Sequence, residues 1–176
     1  FKQTTLPWTG ENAAANVVCH PERLIEPLRV QKPTTFFVNS MSDLFHEQVP
    51  YAFLVRVFDA MACLPHHTFQ VLTKRPGRMA YFAENIWPKQ GGRWEPVREI
   101  TDNIWPGTKW PDNVWAGTSV ESAKYLPRLD VLGRVPAKVR FVSAEPLLGP
   151  LDLSHYLAQE TFVLNPADRA LDWVIV

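Results

Sequence analysis

Four polar clusters hold the residues of this chain that are suited to chemistry: Asn39, Ser40, Ser42 and Asp43; Thr73, Lys74 and Arg75; Thr118, Ser119 and Glu121; Ser143 with Glu145. Asp43, Glu121 and Glu145 are the candidate catalytic groups, because a carboxylate can move a proton or hold a ligand's amine. Lys74 and Arg75 can clamp a carboxylate or phosphate, Arg through its planar fork and Lys as a point charge. Asn39, Ser40, Thr73, Ser119 and Ser143 add neutral donors and acceptors, and together with Lys74 and Arg75 are the candidate cofactor-binding set. Each cluster also has a plain structural reading. Asn, Ser and Asp bond their own backbone and so favour turns. The Lys74/Arg75 pair also reads as a solvated loop. Glu145 lies so close to a buried run that it needs a partner, and a cation of the Thr73–Arg75 segment is the simplest one. Pro146 after it biases Glu145 toward extended backbone.

What positions these clusters is the run before each one. TTFFV, TFQVL, NVWAG and VRFV are continuous apolar stretches ending in small, hydroxylated or charged residues. Such runs suit strands buried on both faces, as in parallel sheets. In those folds the carboxyl ends of the strands share one rim, where ligands bind. Between the runs lie helical patterns. Leu54, Val57, Phe58, Met61 and Leu64 follow helical spacing behind Pro50, which suits a first turn. Met79, Phe82 and Ile86 repeat the pattern after Pro76. Residues 122–135 form a third, with Ser122 as the expected N-cap, Gly133 near its end and Pro127 shortening it. A last apolar run, DWVIV, reads as a fifth strand. The alternation predicts an α/β fold with parallel strands, most simply a partial (β/α) TIM-like barrel, with a flavodoxin-like doubly wound sheet as the alternative. Five strands fall short of the roughly 250 residues of a complete barrel. The chain is therefore expected to be a single α/β domain over 1–176 that belongs to a longer protein.

Composition narrows the partners. Of 176 residues, 46% are hydrophobic and 20% charged, as in a globular domain. Eighteen basic residues balance eighteen acidic ones, so no overall field draws the chain to nucleic acid. No run reaches the ~18 apolar residues of a membrane span, and the start lacks the apolar core of a secretion signal. Cys19 and Cys63 stand far apart without metal-ligand spacing, and lone thiols fit a reducing cytoplasm. GxGxxG, P-loop, GxSxG and HExxH signatures are absent; His46–Glu47 is an HE pair without that spacing. Trp87, Trp94, Trp105 and Trp110 crowd a Pro/Gly-rich insertion over 87–112, which reads either as an anchored loop or, beside Lys74 and Arg75, as a base-stacking surface.

Together the segments FFVNSMSDLFHEQVP, HTFQVLTKRPGRM, NVWAGTSVES, VRFVSAEPLLGPLDL and LDWVIV, with PWTGE and HPERLIEPL, resemble the phage family named after proteins Gp thirty-seven and Gp sixty-eight. The resemblance spans almost the whole chain. It implies a longer parent with a three-cysteine segment ahead of these residues and further strands behind, similar to radical S-adenosylmethionine enzymes. There, three thiolates hold a four-iron–four-sulfur cluster at the mouth of a partial barrel. On this expectation the cluster falls to residues beyond these 176. The rim residues would bind the methionine end of S-adenosylmethionine and an unknown substrate. Two further readings stand beside it: a non-catalytic module that binds nucleic acid or protein in phage or mobile-element biology, and a metal-independent lyase or hydrolase using Glu121 and Glu145 as an acid–base pair.

Overall fold

The apolar runs form five strands, β1 (Thr35–Val38), β2 (Thr68–Thr73), β3 (Val114–Ser119), β4 (Arg140–Ser143) and β5 (Trp173–Ile175). All pair in parallel, in the order β1-β2-β3-β4-β5. The structure, a computed structural model, describes residues 6–7, 9–39, 42–90, 109–157 and 171–176. The expected α/β class and parallel pairing are therefore observed, in an open sheet. Its strand order never reverses among the described residues, as in one arc of a (β/α) barrel; a flavodoxin-like sheet reverses beside its first strand. With right-handed crossovers, stepping always in one direction lays the helices on one face.

Among the described residues five short or medium helices flank or connect the strands: α1 (Ala13–Asn16), ahead of β1, then α2 (Tyr51–Ala62), α3 (Pro76–Tyr81), α4 (Trp87–Gln90) and α5 (Pro127–Leu132). A π-helical turn, Phe82–Ile86, joins α3 to α4. Pro88 accounts for it. A proline has no N–H to return to residue 84, and its ring clashes with that carbonyl. The wider turn relieves the clash, and Trp87 N–H bonds instead to the Phe82 carbonyl. Pro50 sits one position earlier than expected, as the extended N-cap of α2. Ser122 makes no side-chain cap bond, and a 3₁₀ turn over Ala123–Tyr125 precedes α5 because Pro127 opens that helix.

Alternate residues of the strands face the helices. Phe69 and Val71, Val114 and Ala116, and Val142 lie in one buried core with Leu54, Phe58, Met79, Phe82, Leu129 and Leu132. Phe58 is its hub. Its ring meets Phe82 and Trp110 at 4.8 Å each and Trp87 at 5.6 Å. Trp87 and Trp110 are almost fully enclosed, and their indole N–H groups donate to the carbonyls of Lys109 (2.8 Å) and Val114 (2.7 Å). These two tryptophans anchor the ends of the Trp-rich stretch; Trp94 and Trp105 lie outside the described residues. At the amino end of the sheet, Asn113 caps the carboxyl end of α2, donating at 2.9 Å to both the Met61 and Leu64 carbonyls. No helix of the described residues is long and apolar enough to cross a membrane.

Candidate functional site

The rim at the carboxyl ends of the strands carries two polar clusters that face opposite sides of the sheet. The register separates them. Thr73 pairs with Thr118 in the row that faces the helices, whereas Ser119 pairs with Ser143 in the row that faces away. Lys74 and Glu121 follow one and two positions after these rows, so alternation brings both to the open side.

On the helix side, Asp43 is the organising group. Its carboxylate accepts from Thr73 Oγ1 (2.6 Å), Phe45 N–H (2.9 Å), Lys74 N–H (3.2 Å) and Arg75 Nη1 (3.0 Å). Thr73 Oγ1 in turn accepts from Arg75 N–H at 2.9 Å, and Thr118 Oγ1 donates to the Thr73 carbonyl at 2.8 Å. The β1 and β2 tails are thus tied by one carboxylate. From α3, Arg78 adds a second tie, donating to the His46 and Val49 carbonyls with its guanidinium 4.6 Å from the centre of the Tyr51 ring. Asn39 turns the chain out of β1 with a left-handed φ of 57°, a conformation asparagine tolerates better than most residues, and is itself exposed. Its carbonyl accepts from Ser42 N–H at 3.0 Å. The turn reading thus describes Asn39; Ser40 lies outside the described residues.

On the open side, Glu121 is the hub. The residue is 6% exposed, its Oε1 paired with Lys74 Nζ and its Oε2 3.3 Å from Arg128 Nη1. Arg128 also donates to the Ser119 carbonyl at 2.7 Å and lies 4.1 Å from the Tyr125 ring centre. Burial is the strongest single influence on Glu121 and opposes its ionisation. It is outweighed by the Lys74 hydrogen bond, a bond from the residue's own backbone, and the charges of Lys74 and Arg128, so the carboxyl stays below its ordinary value. A carboxylate held this way is an anchor for cations and a poor proton store.

Beside it stand Ser119 and Ser143, each 5% exposed, on adjacent strands roughly 4.8 Å apart. Among the described residues neither hydroxyl has a hydrogen-bond partner, and neither is sealed from solvent. The loop after β4 closes over the end of β3, with Leu148 N–H donating to the Glu121 carbonyl at 2.8 Å. The peptide bond between Glu145 and Pro146 in that loop is cis.

The predicted residues therefore divide. Asp43, Thr73 and Arg75 form one cluster, and Lys74, Ser119, Glu121 and Ser143 form the other. Glu145 joins neither: it is exposed, and among the described residues it has no ion pair. The expected bond between Glu145 and a cation of the Thr73–Arg75 segment is not made. Lys74 reaches Glu121 instead, because β2 and β3 are direct neighbours while Glu145 is exposed on the loop after β4. Arg128 carries little signal in the sequence. The one available signal was an arginine next to the proline that opens the helix after β3, where the first turn returns toward that strand's end. No group of three or more His, Cys, Asp or Glu residues able to hold a metal occurs among the described residues.

Fold and rim together define an open, all-parallel five-stranded α/β protein with polar clusters at the strand ends. Over residues 1–176 the chain matches a family described as a protein of unknown function (DUF5131), and it belongs to that family. Neither a curated protein nor a solved structure matches it.

Proposed function

We propose that this chain is the ligand-binding arc of an enzyme that works over the carboxyl ends of β3 and β4, with S-adenosylmethionine as the ligand that the motif resemblance implies. One observation carries the reading: two enclosed serine hydroxyls, without partners among the described residues, open to solvent beside a carboxylate and two cations. Buried polar groups ordinarily find partners. Here the partners are left to solvent or a ligand, at the edge where parallel sheets bind one.

The donor set fits the amino-acid end of S-adenosylmethionine. Ser119 and Ser143 would donate to its carboxylate, Lys74 would neutralise it, and Glu121 would accept from its ammonium through lone pairs not taken by Lys74 and Arg128. When bound, the cofactor supplies an activated carbon on a sulfonium. This chain's own groups orient it, and the buried ion network keeps Glu121 ionised for the ammonium. The iron–sulfur cluster does not fit these residues: Cys19 precedes β1, Cys63 ends α2, and two thiols cannot furnish three ligands. No step is routed through it. The phage setting of the resemblance stands on the same footing as the cofactor.

Isothermal titration of S-adenosylmethionine into the chain tests this reading. Saturable binding is expected, weakened by roughly tenfold in Ser119→Ala/Ser143→Ala, as the loss of two modest hydrogen bonds predicts. Absence of binding, or binding indifferent to both serines and to Lys74→Met, overturns it.

A further inference from the structure

The side of the sheet opposite the described helices has its own order. Directly beneath the Ser119–Ser143–Ile175 row runs Leu72–Gly117–Phe141–Trp173, and beneath that Phe37–Gln70–Trp115. The Phe141 ring, itself enclosed, lies across Gly117 so closely that a Cβ there would stand 2.3 Å from a ring carbon. Trp173 packs against Phe141 (5.9 Å) and edge-on to Trp115 (5.8 Å), yet remains 41% exposed. Leu72 and Ile175 are half-buried, and Leu147 and Leu148 project from the rim loop at 48% and 69% exposure. A largely apolar floor, broken by Gln70 in its lower row, thus runs up to the hydroxyls that have no partner among the described residues.

We propose that this floor and the rim are two halves of one ligand site, and that its occupant is a small molecule with an oxyanion at one end and a flat aromatic body, selected by Trp173. The proposal rests on the rim reading and adds the class of ligand. The charge argument is local: Lys74 and Arg128 bring two positive charges to the single buried carboxylate of Glu121, and the two hydroxyls can donate to two oxygens of one group. Glu145 is exposed on the neighbouring loop, where solvent screens it. The shape argument comes from the register. Trp173 is two positions before Ile175, which pairs with Ser143, so a ligand anchored at the hydroxyls lays its next atoms on the indole. Flat apolar groups gain most from such a surface through ring stacking. A mostly apolar site with a few convergent polar groups is also how small-molecule sites are generally built.

The test compares three probes by isothermal titration into the full chain: 1-naphthoate, acetate and the neutral 1-naphthalenemethanol. Naphthoate is expected to bind at least roughly tenfold tighter than acetate, with naphthalenemethanol weaker than naphthoate by a similar factor. Trp173→Leu should erase the advantage of naphthoate over acetate. Leu72→Ala should reduce the same advantage, which guards against a folding fault in one variant. Equal binding of naphthoate and acetate, equal binding of the acid and the alcohol, or an advantage that survives Trp173→Leu overturns the proposal. If S-adenosylmethionine and acetate bind at the serines but naphthoate gains nothing, the rim reading stands and this one falls. If none of the probes binds, both fall.

Discussion

The two faces of the sheet use the same residue types to opposite ends. On the face beneath the helices, aromatic rings interlock around Phe58, and the rim carboxylate Asp43 spends its acceptors on Thr73, Arg75 and two backbone N–H groups. On the open face, Trp173 keeps a solvent-facing side, and Ser119 and Ser143 make no bond among the described residues. Saturated polar groups hold tails together, whereas unsaturated ones are available to something else. The contrast separates architecture from candidate function better than residue type does, since each rim cluster has an acid, a lysine or arginine and a hydroxyl.

The comparison can be broken by substitutions on either side. The largest loss is expected for Phe58→Ala, about 4 kcal/mol in urea unfolding, from deleting the hub of an enclosed aromatic cluster. Asp43→Ala should follow at about 3 kcal/mol, since four donors lose a charged acceptor at once. A loss near zero at Asp43 would end the view of the helix-side rim as architecture.

Acid titration of stability sharpens the comparison on the open side. The Glu121 carboxyl lies below its ordinary value in the folded chain, so the stability it contributes is complete above the unfolded-state value near 4.3. That contribution is lost as pH falls through the lowered folded value. Glu121→Gln should flatten this acid limb relative to the parent chain; an unchanged slope would mean that the ion network contributes nothing to folding. The smallest effect belongs to Ser119→Ala and Ser143→Ala, each expected within about 0.5 kcal/mol of the parent, because no protein bond is broken. A large loss at either serine would make it a structural residue.

Much of this was legible in the sequence. TFFV, TFQVLT, VWAGTS, RFVS and WVI are strands, as the apolar runs predicted. Burial on both faces, however, holds only for β4 and nearly for β3; β1, β2 and β5 keep an exposed or half-exposed face because helices pack on the other one. Leu54, Val57, Phe58 and Met61 are buried on one helix, as their spacing predicted. The rim residues followed from the fold class alone. What could not be read was which neighbour each side chain would choose. Glu145 and Glu121 look alike in sequence, each close behind a buried strand. Only the register, and the turn after β4, decide that Lys74 meets Glu121. The π turn was hidden as well, since helical periodicity gives Met79, Phe82 and Ile86 the same face whether or not Pro88 widens the turn. The division of the serines from Asp43 was invisible for a related reason: alternation assigns faces only once strand ends are known to the residue.

The unreversed strand order has a consequence for how the chain reaches this state. Every strand pairs with its neighbour in sequence, so a nascent chain emerging amino end first adds each new strand to an edge that already exists. The longest interval between partners is the one from Thr73 to Val114, and closing it is the step with the greatest entropic cost in assembly. Until that closure the β2 edge stands bare, with its backbone groups offered to any strand nearby. Assembly of this sheet is therefore most exposed to mispairing before β3 arrives, and is templated at every step after it.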